Sequence, residues 1–246
     1  GGHFGRPANV DIGDMDNDGH LEIVAIVPWT GNNPVDNLRG LYVFEQSSSA
    51  TNTHSLSFDG VDDYVEIPYN SVLNSFTESL TVTAWVKATV AGTRTILENG
   101  DVEGFALLLQ TNGKFYSTIQ NQAGWISVIG TTVTDLNTWY NVAVTHTSNS
   151  IKLYVNGQFE SETTGSFGDI INNDSEMYIG RYHNYDNYFP GNMDEVAIWN
   201  TTLTQEEIQN NMSTPLTGNE TGLVGYWSFN EGTGTTASDA TSNGND

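Results

Sequence analysis

The sequence predicts an all-β protein: a sandwich or barrel of short antiparallel strands with one short helix. Three observations lead there. Stretches rich in Val, Ile, Thr and aromatics alternate with Gly, Asn and Asp turns about every 8–12 residues, the rhythm of stacked strands. Aromatics make up 11% of 246 residues, with 25 glycines against 6 prolines, a composition that buries a core. Helix signals occur in a single segment, near residue 205.

In chain order, residues 9–26 (NVDIGDMDNDGHLEIVAI) read as strand, acidic loop, strand, and residues 39–45 as a further strand. Residues 46–54 (QSSSATNTH) contain almost nothing apolar and read as a linker. This divides the chain into an N-terminal segment, 1–45, and a main module, 55–246. In residues 79–87, Leu80, Val82, Ala84 and Val86 share one face, and Thr81, Thr83, Trp85 and Lys87 the other. Residues 139–147 repeat that period through Tyr140, Val142 and Val144. Asn156-Gly157 between two strand-like runs predicts a two-residue type I′ hairpin, because both turn positions need positive φ. Asn112-Gly113 predicts a second one. Residues 202–208 (TLTQEEI) offer a threonine cap and glutamates in a first helical turn, and Met212 closes the helix before Pro215. Such a lone helix reads as a connection over a sheet edge.

Charge removes several function classes. Seven Lys and Arg against thirty Asp and Glu give a formal net charge of −23. Nucleic acid is excluded as a partner, since no basic stripe exists to displace condensed counterions. Membrane insertion is excluded too, because no apolar run approaches the roughly 20 residues that a spanning helix needs. The absence of cysteine rules out disulfides, thiolate metal sites and a cysteine nucleophile. It suits a protein exported by a bacterium, and the expected location is extracellular or at the cell surface. The first residues, Gly-Gly-His-Phe, hold no basic patch with an apolar stretch, so an export signal is expected outside this stretch.

The acidic loop has the spacing of a calcium site. Asp14, Asp16 and Asp18 occupy loop positions 1, 3 and 5, Gly19 allows the sharp turn, His20 would offer its carbonyl, and Glu22 follows at position 9. Ca²⁺ takes six to eight oxygens at about 2.3–2.6 Å, and alternate residues of such a loop turn inward. Position 12 of a full EF-hand would be glutamate but is Ala25, inside a strand. The motif is therefore strand–loop–strand. With its flanks it resembles an FG-GAP or VCBS propeller-blade repeat, of which residues 1–45 would be about one blade.

From residue 55 onward the chain resembles the bacterial laminin-G-like, concanavalin A-like lectin family. The matching segments are 57–66 (SFDGVDDYVE), 83–87 (TAWVK), 139–145 (WYNVAVT), 153–157 (LYVNG), 191–199 (GNMDEVAIW) with 203–208, and 222–232 (GLVGYWSFNEG). The resemblance implies a jelly-roll sandwich of two antiparallel sheets. It also implies a structural Ca²⁺ tying the first loop to the late Asp-Glu-Val strand, held by Asp59, Asp62 or Asp63, Asp194 and a carbonyl such as that of Gly60. Three carboxylates in one tight turn fit that expectation, since a cation relieves their repulsion.

A ligand site is expected at 181–189 (RYHNYDNYF). Tyr182, Tyr185 and Tyr188 offer ring faces for sugar C–H surfaces, and Arg181, His183, Asn184 and Asp186 offer polar groups for hydroxyls. Trp125 and Tyr116 are weaker candidates. Trp85, Trp139, Trp199 and Trp227 are assigned to packing. Catalysis finds little support: there is no His-Glu-x-x-His, no Gly-x-Ser-x-Gly and no Glu-x-Asp-x-x-Glu run. The expected function is a calcium-stabilised, non-catalytic module that binds a glycan or a surface protein. Two further readings stand beside it: a filament or adhesin subunit that self-assembles through terminal strands, and an accessory module of a polysaccharide lyase or glycoside hydrolase.

Overall fold

The computed structural model describes residues 10–13, 22–26, 41–44, 54–100, 104–172, 174–183 and 187–246, and the chain divides into the units Gly1–Thr51 and Asn52–Asp246. In the first unit, β1 (Val10–Gly13), β2 (Glu22–Ile26) and β3 (Leu41–Phe44) form an antiparallel sheet in that order. Gly13 pairs with Glu22, so the acidic loop connects two neighbouring strands. Asp14, Asp16, Asp18 and His20 lie outside the described residues.

The second unit is a sandwich. One sheet has six strands, in the order β10 (Gly124–Ile129), β9 (Phe115–Asn121), β8 (Phe105–Leu109), β7 (Arg94–Asn99), β14 (Met177–Ile179), β5 (Val65–Ile67). The other runs β13 (Gln158–Thr164), β12 (Ser150–Val155), β11 (Tyr140–Thr147), β6 (Leu80–Ala88), β15 (Pro190–Trp199), β16 (Leu223–Trp227), and β4 (Leu56–Asp59) also pairs with β15. All pairings are antiparallel. The alternation read from the sequence sets the layers: Leu80, Val82, Ala84, Val86, Val142 and Val144 point between the sheets into one core. Full burial of each leucine or valine among them stabilises the fold by about 1.5–3 kcal/mol.

Two local expectations need correction. Asn156 and Gly157 both have positive φ (49° and 69°), as a type I′ turn requires, but of the Asn112-Gly113 pair only Gly113 does (φ 75°). Gly113 N–H bonds Gln110 O at 2.9 Å, so this is a longer loop closed by one left-handed glycine. The helix α1 (Gln205–Ser213) starts at a capping box, with Glu207 N–H on the Thr204 hydroxyl (3.2 Å) and Thr204 N–H on the Glu207 carboxylate (2.7 Å). It covers a sheet face rather than an edge. Ile208 packs there with Ala143, Tyr154, Ala197, Trp199 and Tyr226, which come from four strands of that sheet. That second apolar layer explains why the outward residues of β15 are buried. Among the described residues, no helix is long and apolar enough to cross a membrane.

Candidate functional site

The sandwich has two lateral sides, where both sheets end. At one of them β4 leads directly into β5 through the acidic turn 60–64. Gly60 reverses the chain at φ 79°, packed so tightly on Pro190 that a Cβ would lie 2.7 Å from the proline Cβ. Asp59 Oδ1 accepts the N–H groups of Val61 (2.7 Å) and Asp62 (3.3 Å), and Asp63 Oδ2 accepts that of Asp59 (2.9 Å). The Val61 N–H, foremost, holds the Asp59 carboxyl below its ordinary range. One oxygen from each of Asp59, Asp62 and Asp63 lies within 4.8 Å of the others, and all three residues are exposed. An ion about 2.4 Å from each oxygen needs separations of up to about 4.8 Å, so this donor set fits Ca²⁺.

Asp194 does not join that set. Asp59 pairs with Pro190, and Asp194 lies four residues further along β15, roughly 13 Å at strand rise. It sits beside a β-bulge between Asp194 and Ala197, where Glu195 adopts φ 50° and donates its N–H to Asp194 Oδ1 (2.9 Å). The bulge turns Glu195 toward the Tyr226 hydroxyl, which donates to its carboxylate. Burial raises the Glu195 carboxyl, opposed by that hydrogen bond, and burial with the nearby carboxylate raises the Tyr226 phenol.

Next to the acidic turn, Tyr64 belongs to a stacked group that includes part of the aromatic loop. The Arg181 guanidinium lies 4.7 Å from the centre of the Tyr64 ring and 4.8 Å from that of Tyr178. Its Nη2 donates to His183 O at 3.1 Å. Tyr64 meets Tyr178 edge-on at 5.7 Å and Tyr188 at 6.4 Å. Glu176 accepts the Tyr178 hydroxyl (2.8 Å) and lies 3.7 Å from His183 Nδ1. Burial foremost raises the Tyr178 phenol, and backbone and Tyr178 hydrogen bonds lower the Glu176 carboxyl. The loop is anchored at both ends, by Phe189 N–H on Gly180 O (2.8 Å) and Thr95 N–H on Asn187 O (3.2 Å). Asn184, Tyr185 and Asp186 lie outside the described residues, and Tyr182 is half-buried.

Tyr64 also lines a cleft of about 630 Å³ along the same lateral side. Residues 54–56 and 63–66 form one wall, and 229, 231–237 and Asp246 the other. That volume lies within the range of small-ligand sites, about 300–1,000 Å³. The second wall is fixed by the C-terminal segment. Buried Asp239 accepts N–H from Tyr226 (3.0 Å), Thr241 (2.9 Å) and Asn245 (3.1 Å), the Thr241 hydroxyl (2.7 Å) and the Asn245 amide (2.6 Å). Trp227 Nε1–H reaches Asn245 O at 3.1 Å. Residues 239–246 are thus tied within their own unit.

Sequence reasoning named Arg181, His183 and Tyr188, which the structure brings together with Tyr64, Tyr178 and Glu176, but singled out neither those three nor the cleft. Tyr178 stands in register with Glu66, each the middle residue of a three-residue strand, a juxtaposition that only sheet pairing reveals. Of the tryptophans assigned to packing, Trp199 and Trp227 are buried, whereas Trp85 and Trp139 are half-buried and Lys87 Nζ lies 5.0 Å from the Trp139 ring. Trp125 is 49% exposed on the opposite lateral side.

A sequence profile of the concanavalin A-like lectin/glucanases superfamily, of laminin G type, matches residues 59–209. The chain belongs to this superfamily. No curated protein matches it by sequence. Solved structures extend the likeness in fold. A candidate carbohydrate-binding protein from Bacteroides ovatus shares 21% identity at TM-score 0.65, over 78% of this chain and 56% of its own. The CBM40 of Ruminococcus gnavus IT-sialidase, solved with α2,3-sialyllactose, shares 13% at TM-score 0.51, over 64% of this chain and 97% of its own. The botulinum neurotoxin serotype D ligand-binding domain, solved with N-acetylneuraminic acid, shares 16% at TM-score 0.53, over 71% and 48%. The chain therefore spans little more than half of the Bacteroides ovatus protein, and at these identities the likeness is one of fold.

Proposed function

We propose that this superfamily member is a non-catalytic carbohydrate-binding module of an exported protein, and that it takes its glycan in the lateral cleft. The observation that carries this reading is the exposed Tyr64 ring, backed by Arg181 and Tyr178, beside a cleft edged with the hydroxyls of Ser55, Thr233, Thr235 and Thr236. A sugar needs an apolar plate for its C–H face and a set of polar groups for its hydroxyls, and this site offers both. Glycan ligands on fold neighbours lend support to the class. Glycan-array and affinity-gel binding test it: Tyr64→Ala is expected to weaken retention at least about tenfold with little change in melting temperature. Absence of retention on every neutral and acidic polysaccharide would defeat the reading.

Calcium belongs to the same proposal. Asp59, Asp62 and Asp63 are the proposed ligands in the described unit, and the 14–22 loop, including Glu22, is proposed as a second site on its spacing alone. Bound ions would relieve repulsion among the carboxylates and stiffen the turn that leads to Tyr64. An ion held at a hundred times its dissociation constant stabilises the fold by about 2.7 kcal/mol. Calorimetric titration is expected to find two ions per chain and one in Asp59→Asn. Identical melting in calcium and in chelator would contradict it.

A further inference from the structure

The charge around the cleft restricts which glycan fits. Among the described residues, four carboxylates line it, those of Asp63, Glu66, Glu231 and Asp246, no Lys or Arg does, and His54 is the one basic side chain. Three of the four are fixed by backbone donors rather than free to swing away. Asp63 accepts the Asp59 N–H (2.9 Å), Glu231 the Ser238 N–H (2.7 Å) and Asp246 the Asp239 N–H (2.7 Å). The Arg181 guanidinium, next to Tyr64, is held between Tyr64 and Tyr178 and bonded to His183 O, and its charge acts on Glu176. The whole chain adds a net charge of −23. A ligand in the cleft stands within one Debye length, about 8 Å at physiological salt, of carboxylates on both walls.

We infer that the cleft selects glycans without carboxylate or sulfate groups and binds best those that carry protonated amino groups. This rests on the glycan reading above and names the sugar class for that site. It sets this cleft apart from the fold neighbours solved with sialylated ligands, since a sialate or uronate would meet like charge from Glu66, Glu231 and Asp246 even where Asp63 is taken up by calcium. An ammonium group on a hexosamine would meet carboxylates already held in place by backbone donors, so little order is lost on binding.

The test is a matched series in mildly acidic, chelator-containing buffer: chitosan oligomers, their N-acetylated counterparts and oligogalacturonate of equal length. Affinity is expected to fall in that order, by about tenfold or more at each step, and the spread is expected to shrink in 0.5 M salt. In Glu66→Gln/Glu231→Gln the steps are expected to narrow to about threefold. Asp135→Asn/Asp174→Asn, which removes two exposed carboxylates that do not line the cleft, is expected to leave the series unchanged. Oligogalacturonate binding as well as or better than the chitosan oligomer would overturn the inference while leaving a glycan module standing. So would an equal loss of chitosan affinity in the two double variants, because attraction would then come from the surface at large. If no oligomer of any charge binds, the glycan reading itself falls and this inference with it.

Discussion

The two lateral sides of the sandwich are finished in opposite ways. On one side β10 and β13 face each other, and β13 seals the exposed edge of its neighbour. Ser161 Oγ–H donates to Ile129 O (2.6 Å), Thr163 Oγ1–H to Ser127 O (2.7 Å), and the Glu160 carboxylate accepts the Thr131 N–H (2.7 Å), the Thr132 N–H and the Thr132 hydroxyl. Side chains there occupy edge groups that would otherwise recruit a foreign strand. On the other side β5 pairs with β14 alone, and the C-terminal segment stands off to leave the cleft instead of packing down. The difference is that between an edge that is closed and one that is held open. Holding it open needs a rigid brace, which Asp239 and its five donors supply.

The largest expected effect comes from breaking that brace. Asp239→Ala leaves buried donors of Tyr226, Thr241 and Asn245 without an acceptor, and a loss of about 3–5 kcal/mol in urea unfolding is expected. Wild-type stability in this variant would mean that the open side needs no support from within.

The interior carries a weakness of its own. His146, buried at the end of β11 and stacked on Phe167 (6.4 Å), is pushed down to about 4 from an ordinary 6.5, chiefly by burial and against the Glu78 backbone. The unfolded chain therefore takes up a proton between those values that the folded chain refuses. Its contribution is intact above pH 6.5 and is lost as pH falls toward 4, about 3 kcal/mol in all. Urea midpoints across that window are expected to decline, and His146→Leu to remove most of the decline. Glu195, raised by burial, acts in the opposite sense: its stabilisation is full at low pH and lost as pH rises through its folded value.

The smallest effect is the most specific. Ser161→Ala and Thr163→Ala should each cost about 1 kcal/mol. Together they should also promote self-association, read by sedimentation, because β10 would regain open carbonyls. A strictly monomeric double variant would show that the hydroxyls do not guard this edge.

Much of the scaffold was readable in the chain because its rules are local. Alternation along residues 79–87 assigned the faces of β6, Asn156-Gly157 announced its hairpin, and Thr204 with Glu207 marked the helix start. The match to the superfamily agrees with the jelly-roll expectation. What escaped reading was whatever depends on partners distant in sequence. The family resemblance made Asp194 a companion of Asp59, but pairing register keeps them apart. Asn112-Gly113 carried the right dipeptide in a loop too long for a type I′ turn. The cleft joins residues 54–56 and 63–66 to 229–246, and no periodicity links them. Tyr64 was legible only as one residue of the 57–66 motif, since its meaning depends on Arg181 arriving from a loop more than a hundred residues later.

The central claim is that the open side, not the sealed one, receives the ligand. The most direct measurement is amide chemical-shift mapping during titration with a chitosan oligomer. The largest shifts are expected at Tyr64, Val65 and Glu66 and along 231–237, with Trp125, Ile129 and Phe159 unmoved. Shifts centred on those three exposed apolar residues of the sealed side, with the cleft silent, would contradict it.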